Sequence, residues 1–251
     1  RMLGSAISIS CPNIMLNTIA AEELRQFADQ LEGSADLEGD VRKIVQRVMK
    51  EHKRIIFNGD GYSEAWTQEA KRRGLLNLPT TVDALPRYLD QKNVELFTSH
   101  KIYTEAEMEA RYETILEEYS KTLNIEALTM SEMTRQDILP AVSAYIASLA
   151  DAVASKRAVI SGLPCAAETS LIQKLSGLLD SAYEKVEALD ALVTDGKASE
   201  YDHNTLRVAT YYKDKIIPAM NELRAVVDQM EVDTSAAFWP YPSYGDLMFR
   251  V

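Results

Sequence analysis

The residues best suited to chemistry begin with a glycine-rich run, Asn58-Gly59-Asp60-Gly61-Tyr62-Ser63. Glycines alternating with small polar residues are typical of loops that bind phosphate or calcium. The run lacks the Gly-Lys-Ser/Thr ending of a phosphate loop, and the later acidic ligands of a calcium loop are missing. We therefore interpret it as a structural turn, in which the two glycines can adopt positive φ at little cost.

Cysteine and histidine residues could form a metal site only if they were clustered. Cys11 and Cys165 are far apart in the sequence and form no CxxC pair, and His52, His100 and His203 are isolated from them and from one another. We therefore predict no metal ligands and expect both cysteines to be small buried hydrophobes. Two unpaired cysteines also fit a reducing compartment and predict a cytoplasmic location.

Composition limits the classes of partner. The chain has 251 residues, is 46% hydrophobic and carries 38 acidic against 27 basic residues, for a net charge of −11. Its length suits one large domain or two small ones. The negative charge argues against broad binding to nucleic acid or to an anionic membrane, because both require a positive field. We also expect no apolar run long enough to span a bilayer.

Helix caps divide the first half of the chain. Gly33 and Gly74 are expected to close two helices, and Ser63 is expected to cap the start of another. Thr104, with Glu107 three residues later, forms a capping-box pattern that marks the start of a long helix. Apolar residues at helical spacing predict a further, largely buried amphipathic helix over residues 13–32.

Three long helical patterns dominate the second half. The first runs from the capping box to Leu149, with Asn124 and Pro140 as the positions expected to bend or interrupt it. The second ends at Asp195-Gly196, and the third begins near Tyr201 and is expected to kink at Pro218. Together they predict a small antiparallel bundle, so the expected fold class is mainly α.

The final stretch, residues 238–249, has five aromatic residues and two prolines. It is either an extended strap packed back on the bundle or a peptide-like tail that docks into another subunit. We favour the strap, because a soluble monomer rarely exposes so many rings.

The sequence opens on Arg1-Met2-Leu3-Gly4-Ser5 without an initiator methionine or a signal-like segment. We therefore expect the chain to be part of something larger.

Several spaced motifs resemble type III glutamine synthetases, the long-chain bacterial and protist form. The resemblance covers essentially the whole chain. The matching stretches are Arg1-Met2-x-Gly4-Ser5, Cys11-Pro12-Asn13-Ile14-x-Leu16-Asn17-Thr18, His52-Lys53-Arg54-Ile55-Ile56-Phe57-Asn58-Gly59-Asp60-Gly61-Tyr62-Ser63, Asn93-Val94-Glu95-Leu96-Phe97, Asn124-Ile125-Glu126-Ala127-Leu128-Thr129 and Trp239-Pro240-x-Pro242-x-Tyr244-Gly245-Asp246-Leu247.

The resemblance implies an organisation and a site residue. Residues 1–128 would be the C-terminal part of the catalytic domain, residues 129–235 the helical extension of type III enzymes, and residues 236–251 an aromatic, proline-rich tail that packs back. Arg1 looks like the arginine of the family's Glu-x-Arg pattern, which contacts substrate glutamate and the phosphorylated intermediate. The partner glutamate would fall just before Arg1.

The implied activity is that of an ATP-dependent glutamate–ammonia ligase that makes glutamine through a γ-glutamyl phosphate. ATP and Mg²⁺ would be its cofactors, with most of their ligands outside this chain, and the family's large double rings imply a homo-oligomer. The chain by itself is expected to be inactive. The alternative is a non-catalytic helical interaction or oligomerisation module. The two hypotheses differ in what precedes Arg1, because a synthetase requires barrel strands there.

Overall fold

The computed structural model describes residues 8–199 and 204–249, with the side chains of residues 197–199 left out of the description. Over these ranges the chain is almost entirely helical and contains no strand, which confirms the mainly α prediction. Contacts divide the chain into two compact units, Arg1–Thr114 and Ile115–Val251.

The first unit consists of short and medium helices joined by tight turns. Its elements are α1 (Ser10–Leu31), α2 (Leu37–Glu51), a 3₁₀ turn (Lys53–Ile55), α3 (Glu64–Arg72), α4 (Thr81–Ala84), a second 3₁₀ turn (Leu85–Leu89), α5 (Gln91–Ser99) and the start of α6 (Glu105–Met133).

The predicted caps of this unit are confirmed. Gly33 and Gly74 adopt positive φ after α1 and α3, where a side chain would be strained. The Ser63 hydroxyl accepts a hydrogen bond from the backbone N–H of Trp66 at the start of α3. Thr104 and Glu107 form the capping box, in which each side chain accepts from the other residue's backbone N–H.

The expectation that the first helix is largely buried was wrong. Only Thr18 of α1 is buried, and Leu16, Ile19 and Leu24 are exposed. One buried cluster of the first unit comprises Tyr88, Phe97 and Met108, with partly buried residues packed around them. Helical periodicity predicts that residues share a face, but burial of that face depends on what packs against it.

The second unit is a bundle with a continuous apolar core. After α6 it contains α7 (Leu139–Val159), α8 (Ala166–Ser199), α9 (Thr205–Tyr211), α10 (Ile217–Asp233) and α11 (Tyr244–Phe249). Helix α8 packs along both α7 and α10. Its buried side chains include Leu175, Val186 and Leu189, which form the centre of the core.

The two predicted proline distortions are π-helical turns. One covers Thr134–Ile138 and the other Tyr212–Ile216, and each is followed by a helix with proline in its first turn, Pro140 or Pro218. Proline has no N–H to donate and its ring clashes with the preceding turn of an α-helix. A local π turn is one way to widen the backbone at such a point.

One predicted helix end was displaced. Helix α8 does not stop at Asp195-Gly196 but continues to Ser199. Gly196 lies inside the helix, where a Cβ would be 3.1 Å from the Tyr211 ring. Gly196 therefore allows the Tyr211 ring to pack closely against α8, and it does not terminate the helix.

One helical stretch, Glu105–Val159, is long and apolar enough to cross a membrane by length and composition alone. This differs from the expectation that no apolar run reaches that length. The signal is weak, because core helices of bundles pass the same test. Within the second unit, Ile138 and Val142 of this stretch are buried in the core.

Candidate functional site

An aromatic and cationic clamp holds the glycine-rich run in the first unit. The rings of Phe57 and Trp66 stack with their centroids 4.0 Å apart. The Arg73 guanidinium lies 5.5 Å from the Trp66 ring and donates hydrogen bonds to the carbonyls of Arg54 and Ile56. The backbone entering the run is thus tied to α3 by one arginine and one ring stack.

One acidic group, the Glu69 carboxylate, holds the two arginines at the end of α3. Glu69 accepts hydrogen bonds from Arg72 and Arg73. Arg72, and then Arg73, lower the pKa of Glu69 to about 2. The Arg73 side chain is therefore held at both ends, by the Glu69 carboxylate and by the carbonyls that it contacts.

The run itself is a hydrogen-bonded turn. Asp60 accepts from the backbone N–H of Tyr62 at 2.9 Å, and the Ser63 hydroxyl donates to the Asp60 carbonyl at 2.8 Å. Gly59 and Gly61 do not use the positive φ that is open to glycine, since neither is among the residues with positive φ. Gly59 serves a close approach instead, because a Cβ there would be 2.6 Å from the Phe57 ring.

A histidine–carboxylate pair links two helices of the first unit. His100 Nε2 lies 2.7 Å from Glu22 Oε2, and Glu22 also accepts hydrogen bonds from Arg25 and Gln26. Arg25 contributes most, followed by Gln26 and His100, to a Glu22 pKa well below its usual range. The pair joins α1 to the residue that ends α5, a role that the isolated position of His100 in the sequence did not indicate.

A charged network ties the first π turn of the second unit to α8. Arg135 donates to both Asp190 and Glu187, and the Ser131 hydroxyl donates to Asp190 at 2.6 Å. Glu187 first, and Asp190 second, raise the pKa of Arg135. Because the two carboxylates lie on successive parts of one helix face, the guanidinium fork fixes the π turn against α8.

Replacing Arg135 by methionine is expected to lower the free energy of unfolding of the second unit by about 1–2 kcal/mol, since two carboxylates lose their cation at a partly exposed site. Arg135→Lys should recover part of the loss, because lysine supplies the charge without the fork. Urea denaturation followed by circular dichroism measures the change.

Arg224→Met is the matched control for that measurement. Arg224 pairs only loosely with Asp228, at 3.5 Å and on the exposed face of α10. Its replacement should change stability by less than about 0.5 kcal/mol. Equal effects of the two substitutions would show that the Arg135 network contributes nothing.

The tail is anchored on the same π turn. The Tyr241 hydroxyl donates to Asp137 at 2.7 Å, the Phe238 ring lies 5.3 Å from the Tyr145 ring, and Trp239 packs on the core cluster. Burial, followed by the Asp137 hydrogen bond, raises the pKa of Tyr241 to about 12. Residues 238–241 therefore pack back on the bundle as predicted for the strap. The prediction was wrong for the rest of the strap, because residues 244–249 form a helix whose apolar side chains are exposed.

The raised pKa of Tyr241 predicts a stability change in strong alkali. An unfolded tyrosine loses its proton near pH 10, whereas folded Tyr241 keeps it to about pH 12. The stabilisation is complete below pH 10 and is lost as the pH rises from 10 to 12. Denaturant unfolding across this range should show a steeper fall for the wild type than for Tyr241→Phe.

Tyr244→Phe is the control for the alkaline measurement, because the Tyr244 ring is exposed. It should follow the wild-type curve. Parallel curves for the wild type and Tyr241→Phe would contradict a stabilising hydrogen bond to Asp137.

The single residue predicted to act in catalysis, Arg1, lies outside the residues that the structure describes. Over residues 8–199 and 204–249, no three His, Cys, Asp or Glu side chains are grouped so that they could hold a metal ion. Cys165 is buried as expected and Cys11 is half-buried, and both are free thiols. The contacts described above thus hold loops and helices in place.

Comparison with known proteins identifies the family. The sequence pattern of the glutamine synthetase C-terminal domain matches residues 40–157. Type-3 glutamine synthetase of Dictyostelium discoideum is 33% identical over 99% of the chain and 34% of its own length. The chain belongs to the glutamine synthetase family. Glutamine synthetase of Butyrivibrio fibrisolvens is 36% identical over 86% of the chain and 30% of its own length.

A third glutamine synthetase, from Bacteroides fragilis, is 27% identical over 99% of the chain and 35% of its own length. The chain therefore spans about a third of the length of the curated relatives that it matches. The glutamine synthetase family match extends from the first unit into the second. The division of the sequence at residues 128 and 235 stays a prediction, beside the contact boundary at Thr114–Ile115.

Proposed function

We propose that this chain is part of an ATP-dependent glutamate–ammonia ligase that makes glutamine through a γ-glutamyl phosphate. The observation that carries the proposal is that the chain is 33% identical to a type-3 glutamine synthetase over 99% of its own length. Such an enzyme serves nitrogen metabolism, and we place it in the cytoplasm because both cysteines described are free thiols.

In this proposal Arg1 contacts the substrate glutamate and the acyl phosphate formed from it. A guanidinium suits this role, because its planar fork matches carboxylate and phosphate oxygens. ATP and Mg²⁺ would be bound by residues elsewhere in the longer protein. The described residues do not fit a magnesium site, since they contain no group of three metal-ligating side chains.

The isolated 251-residue chain is expected to show no glutamate- and ammonia-dependent release of ADP. The full-length protein should show it, because phosphoryl transfer requires a nucleotide and charge-neutralising groups positioned together. A coupled ADP assay on both proteins, with hydroxylamine replacing ammonia as a second readout, measures the difference.

Circular dichroism of the isolated chain provides the control, since a helical spectrum would exclude unfolding as the cause of inactivity. Turnover by the isolated chain would overturn the assignment of the nucleotide site to other residues. A full-length protein without turnover would favour the second hypothesis, a non-catalytic helical interaction module.

We also propose that the protein is a homo-oligomer. The observation that favours this is the exposure of the end of the tail: Tyr244, Leu247, Met248 and Phe249 are exposed although the strap before them is packed. Exposed apolar side chains in such a cluster are typical of a protein interface.

A further inference from the structure

Four hydrogen-bond donors lie around the start of α1 in the first unit, and we name them the α1 donor cluster. They are the Cys11 backbone N–H, the Tyr88 and Tyr103 hydroxyls and the Arg111 guanidinium. The guanidinium lies 4.4 Å from the centre of the Tyr103 ring, and Tyr103 packs against the buried cluster that contains Tyr88. Cys11, Tyr103 and Arg111 are all close enough to the Tyr88 hydroxyl to interact with it electrostatically.

One backbone donor in the first turn of α1 is unpaired within the described part of the chain. The Ser10 and Asn13 N–H groups are hydrogen-bonded, and Pro12 has no N–H, which leaves the N–H of Cys11. The turn contains no acidic residue, and Ile9 provides no side-chain cap. Because the N-terminus of a helix carries a partial positive charge, this end of α1 favours an anion.

The side-chain donors are likewise unpaired over residues 8–199 and 204–249. Tyr88 is nine-tenths buried, yet its hydroxyl forms no hydrogen bond over these ranges, and neither does the Tyr103 hydroxyl. The Tyr88 oxygen is not fully enclosed, so a ligand can reach it. Arg111 forms no ion pair with any described carboxylate. A largely buried hydroxyl without a partner is uncommon in native proteins and points to a ligand.

The electrostatics of the site keep these groups as donors. Burial, followed by Tyr103 and Cys11, raises the pKa of Tyr88, whereas Arg111 lowers it. The Tyr88 hydroxyl therefore keeps its proton at neutral pH. The Glu107 carboxylate, one turn before Arg111 on α6, is already held by Thr104 in the capping box. The positive charge of Arg111 is thus available to a bound anion.

We propose that the α1 donor cluster binds a small oxyanion, carried as the phosphate or the carboxylate group of a metabolite. The guanidinium of Arg111 presents N–H groups along its edge that match two oxygens of such a group, and stacking on Tyr103 occupies only its face. The Cys11 N–H and the two hydroxyls supply donors for the remaining oxygens. This inference goes beyond the proposed ligase activity and does not rest on it.

Protection of Cys11 from alkylation tests the site in the full-length protein. The free thiol of Cys11 is half-buried beside the cluster, and peptide mass spectrometry follows its reaction with uncharged iodoacetamide separately from that of other cysteines. Sodium chloride keeps the ionic strength constant. At a phosphate concentration of roughly ten times its Kd, only about a tenth of the sites stay free, so alkylation should slow about tenfold.

Succinate in place of phosphate distinguishes the two sources of the oxyanion. Protection by inorganic phosphate alone would assign the site to a phosphate group, and protection by succinate alone would assign it to a carboxylate. Protection by both would show that the cluster recognises the shared oxyanion chemistry. Failure of both anions to protect Cys11 or to bind would overturn the proposal.

Variants of the donors locate the anion. Arg111→Met should weaken binding by about tenfold or more, because a charge-assisted contact is lost. Tyr88→Phe should weaken it about three- to tenfold, since one hydroxyl is lost and the ring is kept. Arg87→Met is the matched control, because Arg87 is exposed in the same unit and lies 3.6 Å from Asp90. It should leave the protection unchanged, and circular dichroism should show that all variants are folded.

Arg1→Ala separates this site from the proposed catalytic one. The protection of Cys11 should persist in Arg1→Ala and disappear in Arg111→Met. The reverse result would assign the anion to the catalytic site and would overturn the α1 donor cluster, while the ligase assignment would stand.

Equilibrium dialysis with radiolabelled phosphate or succinate measures binding without the thiol. The wild type should bind one more anion per chain than Arg111→Met does. Equal numbers of bound anions in the two proteins would overturn the proposal whatever the reactivity of Cys11.

Discussion

Replacing Arg1 by alanine in the full-length protein is expected to lower kcat by roughly 10²- to 10³-fold. The proposed role of Arg1 is to bind the charge that develops as phosphate moves to the glutamate carboxylate and as ammonia displaces it. Preorganised cationic groups of this kind act mainly on the transition state, so kcat should fall more than KM rises. Steady-state measurement of glutamine formation at saturating ATP gives both constants.

The Arg1→Lys variant separates the effect of the charge from that of the guanidinium geometry, because lysine retains the positive charge and cannot form the bidentate contact. Its activity should lie between that of the wild type and that of Arg1→Ala. Thermal unfolding of the three proteins must coincide for the comparison to report on catalysis. Unchanged kcat in Arg1→Ala would remove Arg1 from the site and leave the family assignment standing.

Truncating Leu189 to alanine should destabilise the second unit by about 3 kcal/mol, within the range of about 2–5 kcal/mol typical of buried leucines. The Leu189 side chain is fully buried in the core cluster. It lies on α8, which packs against both α7 and α10, so the cavity would be enclosed by three helices and would collapse poorly. Calorimetry should show Tm lowered by roughly 10 °C.

Val232→Ala is the matched control for Leu189→Ala, since Val232 is 82% exposed on α10. It should change the unfolding free energy by less than about 0.5 kcal/mol. A loss below about 1 kcal/mol for Leu189→Ala would mean that the bundle relaxes into the vacated space and that its core is less tightly packed than the structure shows.

Local signals in the sequence predicted local structure well. The capping box of Thr104 and Glu107 and the Ser63 cap formed as expected, because each depends on residues three positions apart and on backbone N–H groups of one turn. The prolines at 140 and 218 marked the distorted turns, since a missing N–H disturbs any helix. The spaced motifs likewise sufficed to recognise the protein family from the sequence.

Tertiary structure alone decided which predicted faces are buried and which distant residues meet. The α1 pattern predicted burial, but α1 is mostly exposed in the described residues, because its partner surface is not specified by its own periodicity. Arg135 meets Asp190 across 55 positions, and Tyr241 meets Asp137 across 104.

The sequence by itself therefore determined the helical class, the caps, the distorted turns and the family of this protein. The tertiary structure decided the Arg135 network, the anchoring of residues 238–241 and the exposure of α11. The physical reason is the distance along the chain over which each effect acts. Helix caps and prolines act within one helical turn, whereas burial and long-range pairing depend on how separate helices pack.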